Sequence, residues 1–201
     1  KLEDHHEIWV KDLTHYNCFC GCGLVTVRNY IDAVARQQKY HPVKLFLDGL
    51  ERVEGLEEFN KLCSSIVFED ENTKEFQKML IKKWLISGVA AIYDNRFKSQ
   101  GVLVLQGPGN IGKSTWFSNL VPEVNFFNGE STGFSVDNKD KVSQVTGYWI
   151  VELAELESTF KKDYIALKGF ITSEFDEYRS AYAHRKEKHK RKTVFCGSVN
   201  S

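Results

Sequence analysis

The sequence holds only three prolines, and its 14 glycines are spread out, which leaves little room for long flexible linkers. It has no internal repeat and no low-complexity tract. It has no net charge, with 27 Lys and Arg against 27 Asp and Glu, so the average gives no sign of a nucleic-acid partner. An average can conceal a local patch. No apolar run approaches the ~20 residues of a membrane span; the longest candidate, Trp84 to Tyr93, is too short and lies beside charges. Residues 1–10 are charged and polar, unlike a signal peptide. Five cysteines are an odd number for a disulfide framework, so reduced thiols and a cytoplasmic location are expected. The chain has no starting Met, so it is expected to be part of a longer protein. What is present is an ordinary globular balance: 42% hydrophobic and 27% charged residues among 201. That composition disfavours disorder, collagen and coiled coil. It suffices for one domain of good size, or one domain and a small companion.

Residues 1–25 remain unassigned. They contain His5, His6, His15 and the run Cys18, Cys20 and Cys22. A zinc site is one reading, but structural zinc sites usually add a second ligand pair further on, and none follows. Reduced thiols are the preferred reading.

From Thr26 to Asn95 the periodicity is helical. Val27, Tyr30, Ile31 and Val34 fall on one face, with Thr26 as N-cap, and His41-Pro42 ends that helix. Val43–Leu50 and Leu56–Val67 read as short helices. Asn72–Tyr93 is the most helix-like stretch. Thr73 is its expected cap, and Phe76, Met79, Leu80 and Trp84 form a stripe read as core packing. Residues 26–95 therefore read as an all-helical domain.

Beyond residue 95 short apolar runs alternate with helical segments. Val102–Leu105, Tyr148–Val151 and Thr193–Cys196 read as buried strands, and Glu123–Phe127 as a weaker one. Ser114–Leu120 and Ser158–Glu174 read as the helices between them. The expected fold class for residues 96–201 is α/β, a parallel sheet with helices on both faces.

Gly107-Pro108-Gly109-Asn110-Ile111-Gly112-Lys113-Ser114 matches G-x-x-x-x-G-K-[ST], with a buried strand entering and a helix leaving, and Thr115 joins the candidate binding residues. Each residue type has a physical task. Glycines let the backbone curl so that its N–H groups face an anion. Lys113 brings a mobile charge to β- and γ-phosphates, and Ser114 offers a hydroxyl to Mg²⁺. ATP with Mg²⁺ is the implied ligand pair, and the sheet is expected to be of the P-loop NTPase type.

Two further constellations follow. The strand Tyr148–Val151 leads into Glu152, Glu155 and Glu157. A carboxylate there can hold a metal's water shell, and another can orient or deprotonate an attacking water. Glu152 and Glu155 are the candidates, and their division of labour stays open. Asn200 ends the last strand, where a polar side chain reaches the carboxyl edge of the sheet. Just before that strand, residues 184–192 hold six Lys or Arg against one Glu. This is either a solvated charged hairpin or a loop that tracks a phosphate backbone. The candidate contacts are Arg185, Lys186, Lys188, Lys190, Arg191 and Lys192, joined by Arg179 and by Tyr182 as a stacking face.

These residues together resemble the virulence-associated E family of phage and plasmid primase-helicase ATPases, which is similar to superfamily 3 helicases. The resemblance rests on Tyr40-His-Pro-Val43, Lys83-Trp-Leu-Ile86, the phosphate loop, Lys139-Asp140, Trp149-Ile-Val-Glu-Leu-Ala-Glu155, Leu167-Lys168, Tyr178-Arg179, Tyr182 and Val194 to Asn200. It covers roughly residues 26–200. It implies a five-stranded ATPase sheet behind a helical domain, and a ring, often of six subunits, that grips single-stranded DNA. It also implies a DNA-contacting hairpin at residues 184–192. Such rings complete each ATP site with an arginine from the next subunit that follows the third motif; here the chain ends at Ser201, so that arginine is expected beyond it. The fifth strand is likewise expected to be missing, leaving an open edge beside Val102–Leu105. The leading functional expectation is a motor ATPase. A non-catalytic nucleotide- and DNA-binding assembly module is the alternative, followed by a small-molecule kinase, which the lack of an arginine-rich lid disfavours.

Overall fold

A computed structural model of the chain describes residues 23–37, 40–129, 146–153, 165–178 and 187–200. By packing the chain falls into two units, Lys1–Asp48 and Gly49–Ser201.

In the first unit, α1 spans Leu24–Gln37 and α2 spans Pro42–Asp48. Thr26 does not cap α1. The helix begins two residues earlier, and the Thr26 and Val27 amides donate to the Gly23 carbonyl. Pro42 is the first residue of α2, where a missing N–H costs nothing.

In the second unit, α3 (Glu57–Ser64) and α4 (Lys74–Tyr93) precede β1 (Val102–Gly107). A six-residue helix, α5 (Lys113–Ser118), follows. The weak strand expected at Glu123–Phe127 is mostly a 3-10 turn, Val124–Phe126, and only Phe127–Asn128 forms β2. Next come β3 (Ile150–Leu153) and α6, described over 165–171. β4 (Phe175–Tyr178), β5 (Glu187–Lys190) and β6 (Val194–Asn200) complete the order.

Among the described residues the main sheet has four strands in the order β1-β6-β3-β2, and every pairing is parallel. β1 lies at one edge. β4 and β5 pair antiparallel in a separate hairpin. Strand alternation sorts the side chains of the sheet. On one face Val151, Leu153 and Phe195 pack against Leu167, Phe170 and Ile171 of α6. The other face turns Val194, Cys196 and Glu152 toward α4 and α5, where Trp84 meets Phe117 edge-on at 5.7 Å.

α4 differs from expectation in which residues it buries. Ile81, Trp84, Gly88, Ala91 and Ile92 form its buried face, while Phe76, Met79 and Leu80 are exposed. Small residues at 88 and 91 let the helix close on the sheet. Trp84 Nε1 donates to the Phe195 carbonyl at 2.8 Å, and Trp149 Nε1 donates to the Gly88 carbonyl at 2.9 Å. Thr73 precedes α4 but makes no capping bond; its hydroxyl donates to the Asp70 carbonyl instead. Among the described residues, no helix is long and apolar enough to cross a membrane.

Candidate functional site

β1 runs straight into the glycine-rich turn, and α5 leaves it. Two residues of the turn are left-handed: Asn110 at φ 60° and Gly112 at φ 89°. Asparagine tolerates that region and glycine enters it without steric cost. Gly112 also occupies the N-cap of α5, and its carbonyl accepts the Trp116 amide at 2.8 Å. Ile111 folds back so far that its Cδ1 lies 3.0 Å from where a Cβ on Gly107 would sit. Gly109 passes Asn200, with Oδ1 4.0 Å from the equivalent position. Thr115 is exposed, and its carbonyl accepts the Ser118 hydroxyl further along the helix.

The parallel register sets Gly107 beside Asn200. Lys113 Nζ lies across this junction. It donates to the Gly107 carbonyl at 2.8 Å, the Pro108 carbonyl at 2.7 Å and Asn200 Oδ1 at 3.1 Å. The lysine predicted from the first motif and the asparagine from the third are therefore in direct contact.

Glu152 sits within β3 rather than beyond its end, and it is 2% exposed. Its Oε1 accepts two hydroxyls, Ser114 Oγ at 2.8 Å and Ser198 Oγ at 2.6 Å. Its Oε2 lies 3.7 Å from where a Cβ on Gly129 would stand, so the chain just after β2 approaches the carboxylate closely. The register pairs Glu152 with Cys196. Burial first, and the charge of Glu152 second, push the Cys196 thiol well above its ordinary range. Ser198 did not emerge from the sequence motifs. Counting back by two from Asn200 finds it, because Cys196, Ser198 and Asn200 share one face of β6. A serine oxygen beside a buried carboxylate oxygen is a donor set suited to a hard cation such as Mg²⁺.

The basic segment divides by role. Lys188 is exposed and lies 4.4 Å from the centre of the Phe175 ring. Lys190 donates to the Phe97 carbonyl at 2.8 Å, and Lys192 to the Ile92 carbonyl at 2.6 Å. Burial first, then the charge of Lys190, lowers the Lys192 ammonium pKa. Arg191 corrects the expectation of a DNA contact. It is 3% exposed, and its Nε donates to Asp176 Oδ2 at 2.9 Å. Its other nitrogens reach Asp176 Oδ1 and the Phe170 carbonyl, and its guanidinium stacks over Phe170. Each of its three guanidinium nitrogens thus has a partner inside the protein. Glu155, Arg179, Tyr182, Arg185 and Lys186 lie outside the described residues, as do Cys18, Cys20 and Cys22.

A parallel sheet that gathers lysine, serine, carboxylate and amide groups at the carboxyl ends of its strands, around a glycine-rich turn, defines a mixed α/β protein with a polar site at the sheet edge. The chain belongs to the virulence-associated protein E-like domain family, whose model matches residues 47–201. Two solved structures of the NrS-1 C-terminal region, both apo, are similar to it at 18% and 17% identity, each with a TM-score of 0.48. Each alignment covers 81% of this chain but only 36% and 37% of the NrS-1 chains, so the present chain spans little more than a third of their length. No curated protein matches.

Proposed function

We propose that this chain is the ATP-hydrolysing, P-loop core of a DNA motor, preceded by a helical domain and acting on single-stranded DNA in replication of a phage, prophage or plasmid. In this reading it works in the cytoplasm as a homo-oligomeric ring. One observation carries the proposal. Lys113 and Ser114, Glu152, and Asn200 come from three separate stretches of sequence, yet they meet through hydrogen bonds of 2.8 to 3.1 Å at one sheet edge. Family membership agrees with it.

In this reading the residues divide the work as follows. The amides of the 107–112 turn face a terminal phosphate. Lys113 exchanges its present carbonyl partners for phosphoryl oxygens, staying within reach of Asn200. Asn200, on the adjoining strand tip, orients the attacking water or the γ-phosphate. Ser114 and Glu152 would hold Mg²⁺, which would supply positive charge against the phosphates. Glu152 is already engaged by two hydroxyls, so taking the proton from water falls to Glu155. Lys188 is the basic side chain of the described hairpin best placed for a phosphate backbone.

The test is ATP turnover of the full-length protein, with and without single-stranded DNA. Turnover should rise with DNA and fall by at least about 10²-fold in Lys113→Ala, since a charge aimed at the transferred group is removed. A rate indifferent to DNA would count against a motor. Nucleotide binding without turnover would favour the assembly module, and phosphate transfer to a small acceptor would favour a kinase.

A further inference from the structure

We infer that Ser198 is a positioning residue that fixes the Glu152 carboxylate for its divalent cation; this rests on the nucleotide-binding reading above. Ser198 stands on β6 between Cys196, the register partner of Glu152, and Asn200, which touches Lys113. It therefore occupies the gap between the carboxylate and the lysine. Its hydroxyl donates to Glu152 Oε1 at 2.6 Å, the same oxygen that Ser114 reaches at 2.8 Å.

The two serines are not equivalent. Ser114 is itself a cation ligand in this reading, so its oxygen serves the metal while its proton serves Glu152. Ser198 sits on the neighbouring strand and has no position in the glycine-rich turn. Its bond to Glu152 is independent of the nucleotide. A glutamate has three rotatable bonds, and a buried one needs its charge met by donors. Ser198 supplies a donor from the sheet itself, so the carboxylate is held before the cation arrives. Partners of metal ligands that act in this way are typically worth 10–100-fold in metal affinity. The same serine also joins the two halves of the site, because it belongs to the strand that carries Asn200.

The experiment uses the full-length protein, with Ser198→Ala and Ser198→Thr beside wild type. Mn²⁺ affinity is measured by electron paramagnetic resonance in the presence of a non-hydrolysable ATP analogue. Affinity for the same analogue is measured in a chelator, without metal. Ser198→Ala should weaken Mn²⁺ binding by about 10-fold or more, and leave metal-free nucleotide affinity within about twofold. Ser198→Thr, which keeps the hydroxyl, should restore Mn²⁺ binding to within about threefold of wild type. Unchanged Mn²⁺ affinity in Ser198→Ala overturns the inference. An equal loss of metal-free nucleotide affinity, or no rescue by threonine, also overturns it, because the residue would then act only through general packing. If wild type binds neither the analogue nor Mn²⁺, the nucleotide-site reading itself fails and the inference falls with it.

Discussion

Replacing Arg191 with alanine separates two roles for the basic segment. Arg191 and Asp176 have side chains 2% and 4% exposed, so the mutation strands a carboxylate inside the protein. It also leaves the Phe170 carbonyl without the guanidinium and uncovers the ring beneath it. Breaking a buried pair by removing one partner typically costs about 3–5 kcal/mol. For a chain of this size each kcal/mol lowers the melting temperature by ~2–4 °C, giving a fall of about 6–20 °C. Urea unfolding followed by circular dichroism would measure it directly. Replacing both partners by apolar residues of similar volume, Arg191→Met with Asp176→Leu, should recover much of the loss, since no charge is left buried. Lys188→Ala, on the exposed side of the same hairpin, should move stability by less than about 0.5 kcal/mol. The reasoning is refuted if Arg191→Ala unfolds like wild type, within about 0.5 kcal/mol, while single-stranded DNA affinity drops.

Gly112→Ala should lower stability by about 1–2 kcal/mol, because an L residue must adopt φ 89° there. An unchanged urea midpoint would show that the turn relaxes freely. Burial raises the Cys63 and Cys196 thiols above their ordinary value of 9.0. The native state therefore holds these protons longer than the unfolded chain. Their contribution is complete below about pH 9 and declines as pH rises past it. Unfolding free energy should fall as pH rises above about 9, and fall less steeply in Cys196→Ala. Equal slopes would remove the thiol from the explanation.

The strands that hold the site were legible because they are continuous apolar runs, and the glycine-rich turn was legible because its residue spacing is rigid. Lys113, Ser114, Glu152 and Asn200 could each be named from that pattern. Their contacts could not, since no local signal states that β6 lies between β1 and β3. Sequence order alone would put β6 last. Ser198 was hidden for a related reason: its role depends on cross-strand register, and serine is common in strand ends. Arg191 misled because a run of charges looks uniformly solvated. Its opposite number, Asp176, is 15 residues away on β4, and only the hairpin brings the two together. The stripe on α4 was misjudged because that helix is apolar on several sides. Gly88 and Ala91, residues that carry little hydrophobic signal, mark the side that meets the sheet.

The two indoles at the boundary of α4 have a mechanical consequence. Trp84 reaches from helix to strand, and Trp149 reaches back from the strand's approach to the helix. Set about one turn apart along the helix, the two bonds act like bolts that resist sliding of α4 along its axis. α4 is thereby a fixed rail for the strands that carry Glu152 and Asn200, and any shift it undergoes is transmitted to both of them together.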